Sequence, residues 1–193
     1  MAYLDLEKFS NAEAQRRPFE FVTVPGFVSG GELAAVNRDF PAVETAGNFA
    51  LEDLRYGPHF AAFVEEIRGA AFRKLVEKKF GIDLEGLDTR ITIRGFADLS
   101  DGPIHTDIPS KVVTGLIYLN ENWDSPGGML RLLRNGHDIE DYVAEVPPIG
   151  GTLLMFKRAD NSWHGHKPVS GERRTIQINW IDPGKDNPLR GGR

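Results

Sequence analysis

Apolar positions along the chain change their period near Gly81. Before it they recur mostly at helical spacing, and after it they alternate with polar residues as strands do. Residues 19–24 read as a first strand ended by Pro25 and Gly26, and Ser29 then N-caps a helix running to about Phe40. Pro58 opens a longer helix in which Phe60, Phe63, Val64, Ile67, Ala71, Phe72, Leu75 and Val76 share one apolar face, and Gly81 terminates it.

From Asp88 onward short β-rich runs follow one another at residues 89–97, 111–119, 129–133, 142–146, 152–156 and 173–181. Turn chemistry such as Ser125-Pro126-Gly127-Gly128 and Pro147-Pro148-Ile149-Gly150-Gly151 divides them. The pattern predicts a mainly β chain with N-terminal helices, an α+β arrangement in which the strands form a sandwich or jelly roll. It reads as one domain over 1–193: a strand and supporting helices in 1–87, the β core in 88–181, and a polar tail in 182–193 whose three glycines predict mobility.

With 40% hydrophobic and 26% charged residues, the composition is that of one folded domain rather than a disordered or fibrous chain. A net charge of -5 argues against nucleic acid as the main partner, because phosphate binding needs a concentrated basic face. No stretch reaches the length of a membrane span, and Asp5 and Glu7 stand where a signal peptide needs a basic start, so a cytoplasmic protein without membrane attachment is expected. The absence of cysteine excludes disulfides, thiolate metal sites and thiol nucleophiles, leaving imidazole and carboxylate as metal ligands. Nothing in the pattern specifies an oligomeric state.

Those two ligand types converge in His105-Thr106-Asp107, at the start of the β-rich half, and Trp163-His164-Gly165-His166 near its end. In an extended segment residues i and i+2 point the same way, so His105 and Asp107 can reach one metal while Thr106 points away. A third ligand must come from a neighbouring strand. Two imidazoles and one carboxylate on one face of an iron leave open positions for a co-substrate and O2. Taken alone the motif is weak, since five histidines in a chain of 193 are ordinary. His59 and His137 read as surface residues. His164 and His166 form a second i, i+2 pair, and a site using both would suit a four-coordinate zinc.

Along 173–181 Arg173, Thr175, Gln177 and Asn179 alternate with Arg174, Ile176, Ile178 and Trp180. If the apolar set packs under the helices, the polar set faces the interior, and Arg173 becomes a buried cation that needs an anion. A dicarboxylate would satisfy it, with the Tyr118 hydroxyl as a second donor from another strand.

At this point residues from about 90 to 180 resemble the prolyl-hydroxylase-like branch of the Fe(II)/2-oxoglutarate dioxygenases. The resemblance rests on His105-x-Asp107, Val113-Thr114-Gly115-Leu116-Ile117-Tyr118-Leu119-Asn120 with Trp123, and Gly127-Gly128-Met129-Leu130-Arg131. It continues through Gly151-Thr152-Leu153-Leu154-Met155-Phe156 and His164-x-x-x-Pro168-Val169 to Arg173. It implies a double-stranded β-helix, a cupin-like jelly-roll barrel with helices on its major sheet. It also implies Fe(II) on His105, Asp107 and His164, with Arg173 and Tyr118 on the distal carboxylate of 2-oxoglutarate and Leu130 lining that pocket. His164 stands at the family's distance before Pro168, which makes His166 a residue behind the ligands or at the surface. Arg174 is the alternative to Arg173, since the doublet leaves one residue of ambiguity.

The implied chemistry is oxidative decarboxylation of 2-oxoglutarate, with O2 as the other co-substrate, coupled to hydroxylation of an aliphatic carbon on a peptidyl, prolyl-type or small-molecule substrate. Asp107 disfavours halogenation, because related halogenases carry a small residue there. Arg94 and Arg174 are candidate substrate contacts, against a simpler reading of Arg94 as the partner of a nearby carboxylate. Residues 47–59 and 99–104 are expected at the pocket mouth. Two other readings compete: a cupin-like metal-binding or sensor module without turnover, and a zinc hydrolase on His105, Asp107, His164 and His166. The first would tolerate loss of Arg173 and Tyr118, both of which are retained, and the second lacks a general base and leaves Arg173 without a role.

Overall fold

The computed structural model describes residues 2–185. Near the N-terminus a short helix α1 (Leu6–Asn11) is capped by the Asp5 carboxylate, which accepts from the Lys8 backbone N–H at 2.8 Å. Strand β1 (Phe21–Val24), helix α2 (Gly30–Arg38) and a two-residue strand β2 (Phe49–Ala50) follow. The single helix expected after Pro58 is two helices, α3 (Pro58–Arg68) and α4 (Ala70–Phe80). Gly69 between them has extended geometry at ψ 146°, which resets the helical phase. The buried face therefore runs Phe60, Phe63, Val64, Ile67 and then Phe72, Val76, Phe80, while Ala71 turns outward. Gly81 ends α4 in the left-handed conformation at φ 60°, as its place in the pattern predicts.

The remaining chain forms β3 (Asp88–Ala97), β4 (Lys111–Tyr118), β5 (Leu130–Leu133), β6 (Tyr142–Val146), β7 (Leu153–Lys157), β8 (His164–Gly165) and β9 (Gly171–Ile181). These strands make two antiparallel sheets. The larger has the order β1-β7-β4-β9-β3-β2 and the smaller β6-β5-β8. Both edges of the large sheet, β1 and β2, come from the N-terminal part of the chain, so that part is not purely helical. This is the mainly β, jelly-roll arrangement that the pattern predicts, with helices on the major sheet.

Alternation along the central strands sorts two cores. On the outer face Ile91, Ile93, Val113, Ile117, Ile176, Ile178 and Trp180 pack under Phe60, Phe63, Ile67, Phe72 and Val76 of the helices. On the inner face Tyr118, Leu154 and Phe156 meet Leu130, Leu132 and Val146 of the small sheet. The central strand β9 is thereby dry on one side and lines the space between the sheets with Arg173, Thr175 and Gln177 on the other. Of the expected tail, Pro183–Lys185 forms one 3₁₀ turn, and residues 186–193 lie outside the described residues.

Candidate metal centre

His105 and His164 are brought together by backbone pairing. Each N–H donates to the other's carbonyl at 3.0 Å, which sets the two imidazoles 4.3 Å apart between ring centroids. Asp107 extends from the same segment as His105, and one ligand atom from each of the three side chains lies within 4.8 Å of the others. Among the described residues this is the cluster able to hold a metal ion, and His166 is not part of it. In both histidines Nδ1 donates to a carbonyl, that of Pro103 for His105 and that of Ser162 for His164, each at 2.9 Å. A carbonyl can only accept, so Nε2 keeps its lone pair free for a metal.

Burial and the neighbouring His105 push His164 down to about 4, with Asp107 only partly offsetting them, so its imidazole is neutral near pH 7. Asp107 is itself buried, which alone would raise its pKa. Lys111, His164 and the hydrogen bonds from Lys111 and Thr114 reverse that and hold the carboxyl below the usual range. Lys111 Nζ is 2.7 Å from Oδ1, and Thr114 Oγ1 donates to Oδ2 at 2.5 Å. Neither residue stands out in the sequence. Thr114 shares the inward face of β4 with Leu116 and Tyr118, but Lys111 reaches it only because the register shifts between Lys111 and Val113.

The cluster opens into a cavity of about 270 Å³ between the sheets. Arg173 lines it and is 4% exposed. Its Nε donates to the Gly128 carbonyl at 3.0 Å and its Nη1 to Thr175 Oγ1 at 3.3 Å, yet among the described residues no carboxylate lies within ion-pair distance. Burial accordingly pulls its pKa down. The guanidinium stacks over the Tyr118 ring at 5.3 Å. Tyr118 sits behind the cavity wall, fully buried, and among the described residues its hydroxyl has no hydrogen-bond partner. Leu130 lines the cavity beside Arg173.

Arg174 points the other way, against Glu172, the Asn37 carbonyl and the Phe40 ring, and does not line this cavity. Arg94 does line it, paired with Asp101 at 2.9 Å and with Asn48 Oδ1 at 3.2 Å. Asn48 and Asp101 belong to the two segments expected at the mouth. His166 is buried rather than at the surface, and it faces the cavity with Nδ1 bonded to the Lys167 carbonyl at 2.9 Å. His59 hydrogen-bonds the Tyr3 hydroxyl at 2.8 Å, and His137 is exposed.

Residues 97–182 match the family model described as the 2OG-Fe(II) oxygenase superfamily. Among solved structures, a prolyl-4-hydroxylase from Pseudomonas putida is similar with a TM-score of 0.58 at 16% identity, covering 95% of this chain and 92% of that one. A prolyl hydroxylase from Trichoplax adhaerens, in complex with a hypoxia inducible factor peptide fragment, gives 0.58 at 18%, covering 98% and 92%. HygX from Streptomyces hygroscopicus, with nickel and 2-oxoglutarate bound, gives 0.58 at 13%, covering 90% of each. No curated protein sequence matches. No described helix is long and apolar enough to cross a membrane. The matched superfamily uses Fe(II), 2-oxoglutarate and O2. Over residues 97–182 the chain is thus similar in sequence to the 2OG-Fe(II) oxygenase superfamily, and over nearly its whole length it shares the fold of the prolyl-4-hydroxylase structures.

Proposed function

We propose that the chain is an oxygenase that hydroxylates an aliphatic carbon, with Fe(II) on His105, Asp107 and His164 and with 2-oxoglutarate reaching from the metal to Arg173. One observation carries this reading. A cavity with a His-Asp-His cluster at one place holds, elsewhere on its wall, a buried arginine that has no carboxylate partner among the described residues. A cation so placed is costly unless an anion joins it, and a dicarboxylate is long enough to touch both.

The residues fit both groups. Nε2 of each histidine is free, and the Asp107 carboxylate is oriented by Lys111 and Thr114. The Tyr118 hydroxyl, beside Arg173 and without a hydrogen-bond partner among the described residues, would supply a second donor to the distal carboxylate, and Leu130 would line the pocket for its carbon chain. Bound Fe(II) with 2-oxoglutarate and O2 supplies oxidative decarboxylation to succinate and CO2, coupled to hydroxylation of the substrate. The chain's own part is to orient both ligands and to keep solvent from the inner wall.

The substrate is a peptidyl side chain or a small molecule. The Trichoplax neighbour is held with a peptide, while a HygX structure contains hygromycin B. The cofactor-binding half and the helical half act as one domain in this proposal, because the helices cover the sheet that carries Arg173.

Anaerobic addition of Fe(II) and 2-oxoglutarate to metal-free protein is the test. A visible charge-transfer band from the chelate is expected in the wild type and is expected to vanish in His164→Ala. Arg173→Ala is expected to weaken 2-oxoglutarate binding about 10- to 100-fold, the loss of a charge-assisted contact. Folded, metal-loaded wild type without the band would overturn the proposal.

A further inference from the structure

Five charged side chains line the cavity among the described residues: Arg94, Asp101, Asp107, Lys111 and Arg173. Arg94 is committed to Asp101 at 2.9 Å, and its Nε and Nη2 both reach Asn48 Oδ1. Lys111 has Asp107, and Arg173 has no carboxylate. His105 and His164 would bind the metal as neutral imidazoles, each with Nδ1 donating to a carbonyl, and His166 has the same kind of Nδ1 bond, to the Lys167 carbonyl at 2.9 Å.

On the metal and 2-oxoglutarate reading just given, on which this inference rests, the two charges of Fe(II) are matched by the two of 2-oxoglutarate. Three protein cations then face two protein carboxylates. Arg173 is taken by the dicarboxylate and Arg94 keeps Asp101, while Asp107 must serve the metal and Lys111 together. The uncompensated positive charge therefore falls on Lys111. Its ammonium has three donors, and Asp107 is its one hydrogen-bond acceptor among the described residues, so two donors remain for a ligand. Its side chain is only 20% exposed, which keeps solvent screening low.

Size narrows the class further. A cavity of about 270 Å³ that must also hold 2-oxoglutarate is at the small end for a ligand site. The rest of the free wall is uncharged, with Asn48, Thr92 and Gln177 as polar groups and Pro103 and Leu116 as apolar ones. We propose that Lys111 is the anion contact for the primary substrate, and that this substrate is a small carboxylic acid of one net negative charge. Its carboxylate pairs with Lys111 and its aliphatic carbons lie against the metal cluster.

The test is binding, not turnover. Anaerobic protein saturated with Fe(II) and 2-oxoglutarate, its loading shown by the charge-transfer band, is titrated calorimetrically with linear carboxylates of three to six carbons. The primary amides of equal length serve as neutral matches. Saturating 2-oxoglutarate keeps the test acids from Arg173. Wild type is expected to bind at least one acid about 10-fold or more tightly than its amide, Lys111→Met to lose that preference, and Lys111→Arg to keep it. Equal binding of acid and amide, no binding of any acid, or a preference that survives in Lys111→Met would overturn the inference while the band leaves the metal reading intact. A short peptide with one glutamate that binds where the free acids do not would overturn the small-molecule assignment. A missing band would overturn the premise and the inference together.

Discussion

His164 and His166 stand two residues apart, both buried and both with Nδ1 tied to a carbonyl, yet only His164 reaches the Asp107 cluster. The i, i+2 relation puts both side chains on one face, and the backbone pairing of His164 with His105 decides which of them meets the metal position. That pairing is a long-range contact and leaves no local mark in the sequence. Both imidazoles are held near 4 against an ordinary 6.5, His164 by burial and His105, His166 by burial and Arg173. The unfolded chain therefore binds more protons than the folded one between pH 6.5 and 4. Stability that is fully present above 6.5 is lost as the pH falls through this window, by up to about 3 kcal/mol per group. Asp107, with its lowered pKa, loses its contribution in the same direction at lower pH. Urea midpoints of the metal-free protein at pH 7, 6, 5 and 4 should fall steadily, and more shallowly in His166→Asn. A flat profile would show that these histidines are not buried neutral in solution.

Strands β4 and β9 are legible because each has one side on the helix-facing core and the other on the cavity wall, so alternation reports the fold directly. Arg173 followed from that alternation, and the cavity holds it while Arg174 leaves toward Asn37. Lys111 could not be reached this way. By alternation it belongs with Val113, Gly115 and Ile117 under the helices, and only the register shift before Val113 turns it inward. Helix α1, with Phe9 as its one buried residue, and the two-residue strands β2 and β8 are held by their neighbours rather than by their own pattern. The break at Gly69 was hidden because apolar residues continue at helical spacing across it. Phe63 on α3 is fully buried against Tyr3 and Phe60 and lies in the helix-facing core, away from the cavity. Phe63→Ala is expected to cost about 3–5 kcal/mol by denaturant unfolding while the Fe(II) and 2-oxoglutarate band remains in the folded fraction. Loss of the band from fully folded variant would mean that the helix layer governs the site's geometry and not only its stability.

At the scale of the molecule, the large sheet has no face or edge of its own making. Residues before 88 supply both edge strands, and the helices cover Ile91, Ile93, Ile176, Ile178 and Trp180. Without them the outer face would expose a contiguous apolar surface and β7 and β3 would become bare edges, a template for association with other chains. The β core is therefore not expected to stand alone, although residues 97–182 hold the whole family match and every candidate ligand. A fragment beginning at residue 88 is expected to aggregate or to lack the near-ultraviolet circular dichroism of packed aromatics. The full chain should unfold in one cooperative transition, because the sheet and the helices share one core. A soluble 88–193 fragment with dispersed amide resonances and the charge-transfer band would show instead that the jelly roll folds independently and that the helices are an addition to it. Two separate transitions in the full chain, one followed by the helical far-ultraviolet signal and one by the band, would point the same way.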